Sequence, residues 1–116
     1  MTSPDGSTKS TSRDVPTVLR MTGEIDMSNS DALREQVVEA LDEGTPALVL
    51  DMSEVTFFAS SGIAALAHAR EYGKQLGGRP VHVVASRSVR RSLEATAMDQ
   101  LLPLHPTLED ALNAVR

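Results

Sequence analysis

Residues 47–66 read ALVLDMSEVTFFASSGIAAL, and the architecture of the chain turns on how these twenty residues are parsed. The opening ALVLD is an almost unbroken apolar run closed by Asp51, the mark of a strand covered on both faces. Residues 55–58 (VTFF) read as a hydrophobic descent into a turn. From Ser60 or Ser61 onward, Ile63, Leu66, Ala67 and finally Leu76 recur with helical spacing, while Arg70, Glu71, Lys74 and Gln75 are left for water. Gly77 and Gly78 end that helix. A strand feeding directly into a helix therefore lies at the centre of the chain.

The flanking sequence repeats the alternation. Residues 17–22 (TVLRMT) predict a strand ended by Gly23. A helix capped by Ser28 or Ser30 follows, carrying Leu33, Val37, Ala40 and Leu41 on one face as far as Glu43, with Gly44 and Pro46 as its stop. Downstream, residues 80–85 (PVHVVA) predict a third strand and residues 88–96 a short helix with Val89 and Leu93 inward. Residues 101–105 suit a small edge strand, because Pro103 and Pro106 deny it a central place. Thr107 and Asp110 approximate a capping box for a last helix bearing Leu108, Ala111, Leu112 and Val115. Strands alternating with helices imply crossovers and a mostly parallel or mixed sheet of four to five strands flanked by helices, an α/β domain. Its stability is expected to rest on Leu48, Val49, Leu50, Ile63, Leu66, Val81 and Val83.

The 116 residues suit one domain, read as 15–116, behind a Ser/Thr-rich tail over 1–14 that has too little to bury to offset its ordering entropy. Aromatic residues are 3% of the chain and its net charge is −5, which argues against a nucleic-acid stacking platform or a phosphate-backbone binder. The absence of cysteine removes disulfides, thiol catalysis and zinc–thiolate sites. No apolar run approaches the roughly 18 residues that span a bilayer, and the N-terminus lacks the apolar block of a secretion signal. A cytoplasmic monomer without cofactor, metal or membrane partner is expected.

Enzymatic signatures are missing as well. No Gly-x-Gly-x-x-Gly or P-loop follows a strand. Ser60-Ser61-Gly62 lacks the preceding glycine of a nucleophile elbow. His68, His82 and His105 have no metal-ligand spacing and read as surface or half-buried structural residues. Arg87, Arg90 and Arg91 read as a solvated helix face. Glu24, Asp26 and Asp51 loosely imitate the acidic set of an aspartate phosphoacceptor. What remains is Phe57-Phe58-Ala59-Ser60-Ser61-Gly62-Ile63. Ser60 reads first as a helix cap satisfying an orphan N–H. The same place also tolerates a phosphate, because unpaired N–H groups and the positive end of the helix dipole favour an anion. Such a phosphate, of about −1.5 to −2 charges at neutral pH, would spoil a complementary interface without unfolding its carrier.

The order of three motifs adds a resemblance. Met21-Thr22-Gly23-Glu24-Ile25-Asp26, then residues 48–57 (LVLDMSEVTF), then residues 59–66 (ASSGIAAL) closely resemble the STAS family, and within it the small anti-sigma factor antagonists of bacteria. The resemblance runs from about Val15 to the C-terminus. It implies a binding protein with no catalysis of its own. The unphosphorylated form would bind an anti-sigma factor that is also a serine kinase of the histidine-kinase-like ATPase fold, freeing a sigma factor. Phosphorylation would eject it, and a PP2C-type phosphatase would restore it.

Carried over by position, the phosphoacceptor is Ser60, with Ser61 the lesser candidate, and Asp26 is the acidic residue of the neighbouring loop. Met27, Phe58, Ala59 and Ile63 would supply an apolar patch around Ser60, rimmed by Asp26 and Ser28. Ser61 and Gly62 complete the helix start, Gly62 admitting a partner's backbone. One of Phe57 and Phe58 is expected to be buried and the other near the surface. The pattern departs at Ala59, where the family carries Asp: alanine cannot orient the serine hydroxyl, yet a kinase can furnish its own base. A constitutively binding, weakly phosphorylated variant is the fallback. The competing class is an accessory STAS subunit of a transport or lipid-trafficking complex that needs no serine chemistry.

Overall fold

The computed structural model describes residues 15–116, and the expected tail over 1–14 lies outside the described residues. Four strands, β1 (Thr17–Ile25), β2 (Leu48–Phe58), β3 (Val81–Ala85) and β4 (Leu104–His105), form one parallel sheet in the order β1-β2-β3-β4. Four helices accompany them: α1 (Ser30–Asp42), α2 (Ser60–Gln75), α3 (Arg87–Ala95) and α4 (Leu108–Val115). Parallel neighbours need crossovers, and crossovers of one hand in one direction put their helices on one side of the sheet. The main core shows this. Leu19, Leu48, Leu50, Met52, Val81 and Val83 meet Leu33, Val37 and Leu41 of α1, Leu66 of α2, and Val89 and Leu93 of α3. Only α4, which follows the last strand, packs on the other face, where Ala111 meets Val49 and Val84.

Several element limits differ from expectation. β1 does not end at Gly23 but crosses it, the glycine taking φ +81°, and continues to Ile25. β2 likewise runs on through residues 52–58. The two strands stay paired because β2 carries an extra residue at each of two register shifts, between Arg20 and Thr22 and between Gly23 and Glu24 of β1. Each bulge turns the alternation by one position. Met52, Val55 and Phe58, three apart rather than two, therefore all reach the main core. A strict period of two hid this extension.

The N-cap of α1 is Asn29, not Ser28 or Ser30. In α2 it is Ala65, Leu66 and Ala69 that are buried; Ala67, expected inside, is exposed, and Ile63 and Leu76 are partly buried against the core. α3 begins one residue early because the Ser86 hydroxyl accepts from Val89 N at 3.2 Å. Thr107 caps α4 in the same way through Asp110 N, at 3.1 Å.

Candidate functional site

The C-terminal ends of β1 and β2 carry the site. β1 and β2 remain paired to their last residues, Ile25 opposite Phe58, and Ala59 N still donates to Ile25 O at 2.9 Å. β3 stops pairing with β2 at Met52. Beyond that point α3 takes its place: the Ser88 and Ser92 hydroxyls donate to the carbonyls of Thr56 (2.9 Å) and Phe58 (3.2 Å). The tip of β2 is thus held between β1 on one edge and α3 on the other.

The chain turns from strand to helix at Ala59, an extended residue (φ −83°, ψ 171°) whose carbonyl accepts from Gly62 N and Ile63 N. Ala59 is therefore the N-cap of α2 and offers no side-chain acceptor, so Ser60 is not the cap. Ser60 is the first helical residue and is exposed, with no other described residue bonded to its hydroxyl. Its neighbour differs. The Ser61 oxygen is buried without a hydrogen-bond partner.

Asp26 stands beside this turn at the end of β1. Its carboxylate accepts from the backbone N of Ser28 at 2.9 Å and from the Ser28 hydroxyl, and these bonds hold its pKa below the ordinary carboxylate value. Asn29 fixes the loop from the other side, accepting from Asp26 N (2.9 Å) and donating to Glu24 O (2.7 Å). Met27 projects from the loop 85% exposed.

The two phenylalanines divide the roles. Phe58 is 6% exposed and joins the main core, so it is not part of an apolar surface around Ser60; the exposed ring is Phe57, at 53%. The second bulge of β2 decides which is which. Gly62 is buried rather than open to a partner: a Cβ there would stand 2.7 Å from the Phe58 ring and 2.9 Å from Ile25. Its lack of a side chain serves internal packing. Ile63 is only half-buried, and Ala59 and Ser28 flank the tip as partly and fully exposed residues.

The acidic trio does not converge. Asp51 is buried, bonded to Ser53, and lies opposite Arg20, six residues along β1 from Asp26. At about 3.3 Å per residue that is roughly 20 Å. His82 and His105, unrelated by spacing, are brought together with nitrogens 2.8 Å apart on β3 and β4. Among the described residues no group of three or more His, Asp or Glu is placed to hold a metal ion.

An exposed serine thus opens α2 at the end of the parallel strand β2. The STAS domain description matches residues 8–111. The chain belongs to the STAS domain family. This STAS domain is similar to the anti-sigma-F factor antagonist RsfB of Mycobacterium tuberculosis, 39% identical over 101 residues that span 85% of this chain and 80% of RsfB. It is also similar to the crystal structure of an anti-sigma factor antagonist from Mycobacterium paratuberculosis, with 37% identity, a TM-score of 0.78, and coverage of 90% of this chain and 89% of the other. The Bacillus cell fate determinant SpoIIAA in its phosphorylated form shares the fold at 20% identity and a TM-score of 0.68, over 90% of this chain and 94% of SpoIIAA. No helix among the described residues of this STAS domain is long and apolar enough to cross a membrane.

Proposed function

We infer that this STAS domain is an anti-sigma factor antagonist of the cytoplasm, a binding protein switched by phosphate on Ser60. Unphosphorylated, it docks its strand tip on an anti-sigma factor that is also a serine kinase, and so releases a sigma factor. The kinase modifies Ser60, and a PP2C-type phosphatase restores the binding form. The observation that carries this is the position of Ser60, exposed at the first turn of α2 and bonded to no other described residue. The relatives named as antagonists support the reading, as does a relative in the fold known in a phosphorylated form.

The physics of the switch follows from that position. A phosphate adds about −1.5 to −2 charges at the end of a helix whose free N–H groups and dipole favour an anion, so the fold tolerates it. The same charge falls where the end of β1 meets the start of α2, with Asp26 ionised just beyond Ile25 and the side chains of Met27 and Phe57 exposed on the flanking segments. Desolvating a dianion there, next to a carboxylate, opposes docking. The apolar anchor differs from the one expected from sequence: Phe57 takes the place assigned to Phe58.

Capture of partners by wild type, Ser60→Ala and Ser60→Asp tests this. Ser60→Ala should retain a kinase-type anti-sigma factor and Ser60→Asp should lose it. Mass spectrometry after incubation with that kinase and ATP should place phosphate on Ser60 and none on Ser61. Equal capture by the two variants would instead favour docking without a phosphate switch, as an accessory subunit would dock.

A further inference from the structure

Arg70, Lys74 and Arg79 line one cleft, on a chain whose net charge is −5. Arg70 and Lys74 lie four residues apart on α2 and so share a face of that helix. Arg79 joins them from the segment that leads into β3. Gly73 lets this segment touch α2: Arg79 N donates to Gly73 O at 2.9 Å, and a Cβ on Gly73 would stand 2.5 Å from the Arg79 carbonyl oxygen. Pro80, Val81 and Pro103 line the rest of the cleft with apolar surface. Lys74 is fourteen residues along α2 from Ser60, about 20 Å, so the cleft lies towards the other end of the helix.

The bonds these cations make within the fold leave most of their donors unused. Arg70 gives Nε to Leu101 O at 3.1 Å, and Arg79 gives one Nη to Leu41 O at 2.9 Å. Those bonds hold both half-buried guanidinium groups in place, and each keeps further N–H groups with no partner among the described residues. No carboxylate among the described residues pairs with either arginine. Lys74 meets Glu71 at 3.8 Å, with both side chains more than half exposed, a pair worth little. Nor does the end of α2 call for a cation, because Tyr72 O and Gly73 O accept from Leu76 N and Lys74 O accepts from Gly78 N. Like charges four apart on a helix repel, so the cluster opposes folding until an anion joins it.

We propose that this cleft binds a phosphate group, either the free ion or the end of a small monoester. Two guanidinium groups already held by carbonyls offer forked N–H donors that match the oxygens of a tetrahedral oxyanion, and Lys74 adds a point charge. A dianion among the three cations also removes their mutual repulsion. The cleft measures about 180 Å³, below the roughly 300–1,000 Å³ of sites for drug-sized ligands. It is too small for a nucleoside and suits one oxyanion with a few atoms attached, which Pro80, Val81 and Pro103 would receive. A phosphate bound here ties the end of α2 to the segments that enter β3 and β4. It does so away from Ser60, so the cleft can fill whether or not the strand tip is docked or modified.

Nuclear magnetic resonance of the full chain at constant ionic strength tests this, with sodium phosphate and glycerol 3-phosphate each titrated against sodium chloride. Both phosphates should shift the amides of Gly78, Arg79 and Leu101 and the Nε–H of Arg70 to saturation, and chloride should not. Lys74→Gln removes a charge that holds no part of the fold together and should weaken phosphate binding by about threefold. Arg70→Gln should weaken it by about tenfold or more. Arg34→Gln, on α1 and outside the cleft, should bind as wild type does. Tighter binding of glycerol 3-phosphate than of phosphate makes the monoester the ligand, and the reverse order makes it the free ion. Shifts that do not saturate, or Lys74→Gln and Arg70→Gln both binding phosphate like wild type, would overturn the site. Loss of anti-sigma factor affinity in those two variants, with no phosphate bound by wild type, would overturn it too and assign the cations to a protein interface. Ser60 takes no part, so capture by Ser60→Ala and Ser60→Asp stands or falls separately.

Discussion

His82 Nδ1 lies 2.8 Å from His105 Nε2, with the two rings 9° from parallel and their centroids 5.1 Å apart. That centroid separation is what two imidazoles give when a nitrogen of each points straight at the other in a shared plane. The contact is therefore an edge-to-edge N–H···N hydrogen bond between β3 and β4, not a face-to-face stack. In the neutral pair one ring donates and the other accepts. Two protonated rings would set N–H against N–H.

A pH dependence follows. Burial, and then the facing His105, push the His82 pKa below its ordinary value of 6.5. The unfolded chain takes up that proton more readily than the folded one, so stability rises with pH over this range. The contribution is complete above about pH 6.5 and declines as pH falls through the lower folded pKa. Thermal melts at pH 7.5 and pH 5 should show a lower Tm at pH 5, and His82→Gln should flatten the difference. An unchanged slope in that variant would assign the pH dependence to other groups.

Ala59→Asp should stabilise the fold. Ala59 occupies the N-cap of α2 in an extended conformation and supplies no acceptor to the first-turn N–H groups. An aspartate at an N-cap in place of alanine contributes about 1 kcal/mol, with a range of roughly 0.5–2. Denaturant unfolding should report a higher midpoint at unchanged slope. The Asp that the family carries here then has a capping role in addition to any part in phosphorylation.

Phe57→Ala and Phe58→Ala should separate surface from core. Phe58 is almost fully enclosed with Val55 and Met52 in the main core, and truncating such a ring costs about 3–5 kcal/mol. Phe57 is half open to solvent, so its loss should change stability by about 0.5 kcal/mol or less. Unfolding curves give both values, and partner affinity measured on Phe57→Ala should fall although the fold persists.

Gly62→Ala should destabilise although alanine favours helices. The new methyl would stand 2.7 Å from the Phe58 ring and 2.9 Å from Ile25 in a buried setting. Overpacking of this kind costs about 1–3 kcal/mol, against at most about 1 kcal/mol gained from helix propensity. A Phe58→Leu change in the same chain should recover part of the Gly62→Ala loss, a non-additivity that a double-mutant cycle measures.

Ser60→Asp should leave stability within about 0.5 kcal/mol of wild type or slightly above it, since Ser60 is exposed and a negative charge in the first turn suits the helix dipole. A large loss of stability would attribute any loss of binding to unfolding rather than to the interface.

The sequence by itself determined the α/β alternation, the strand-to-helix turn at residues 58–60, the caps at Thr107 and the inward faces of α1 and α3. These depend on periodicity and local capping chemistry, which neighbouring residues carry alone. It also placed Ser60 at a helix start, because the serine, glycine and apolar periodicity lie within a few positions of one another. Only the tertiary structure decided that Phe57 faces water and Phe58 the core, since two bulges set by pairing with β1 shift the alternation of β2. It alone decided that the Ser61 oxygen is buried, that Gly62 makes room for Phe58, and that His82 meets His105 across 23 residues of sequence. Which strand edge a helix completes is settled by hydrogen bonds between residues distant in the chain, and no local pattern records them.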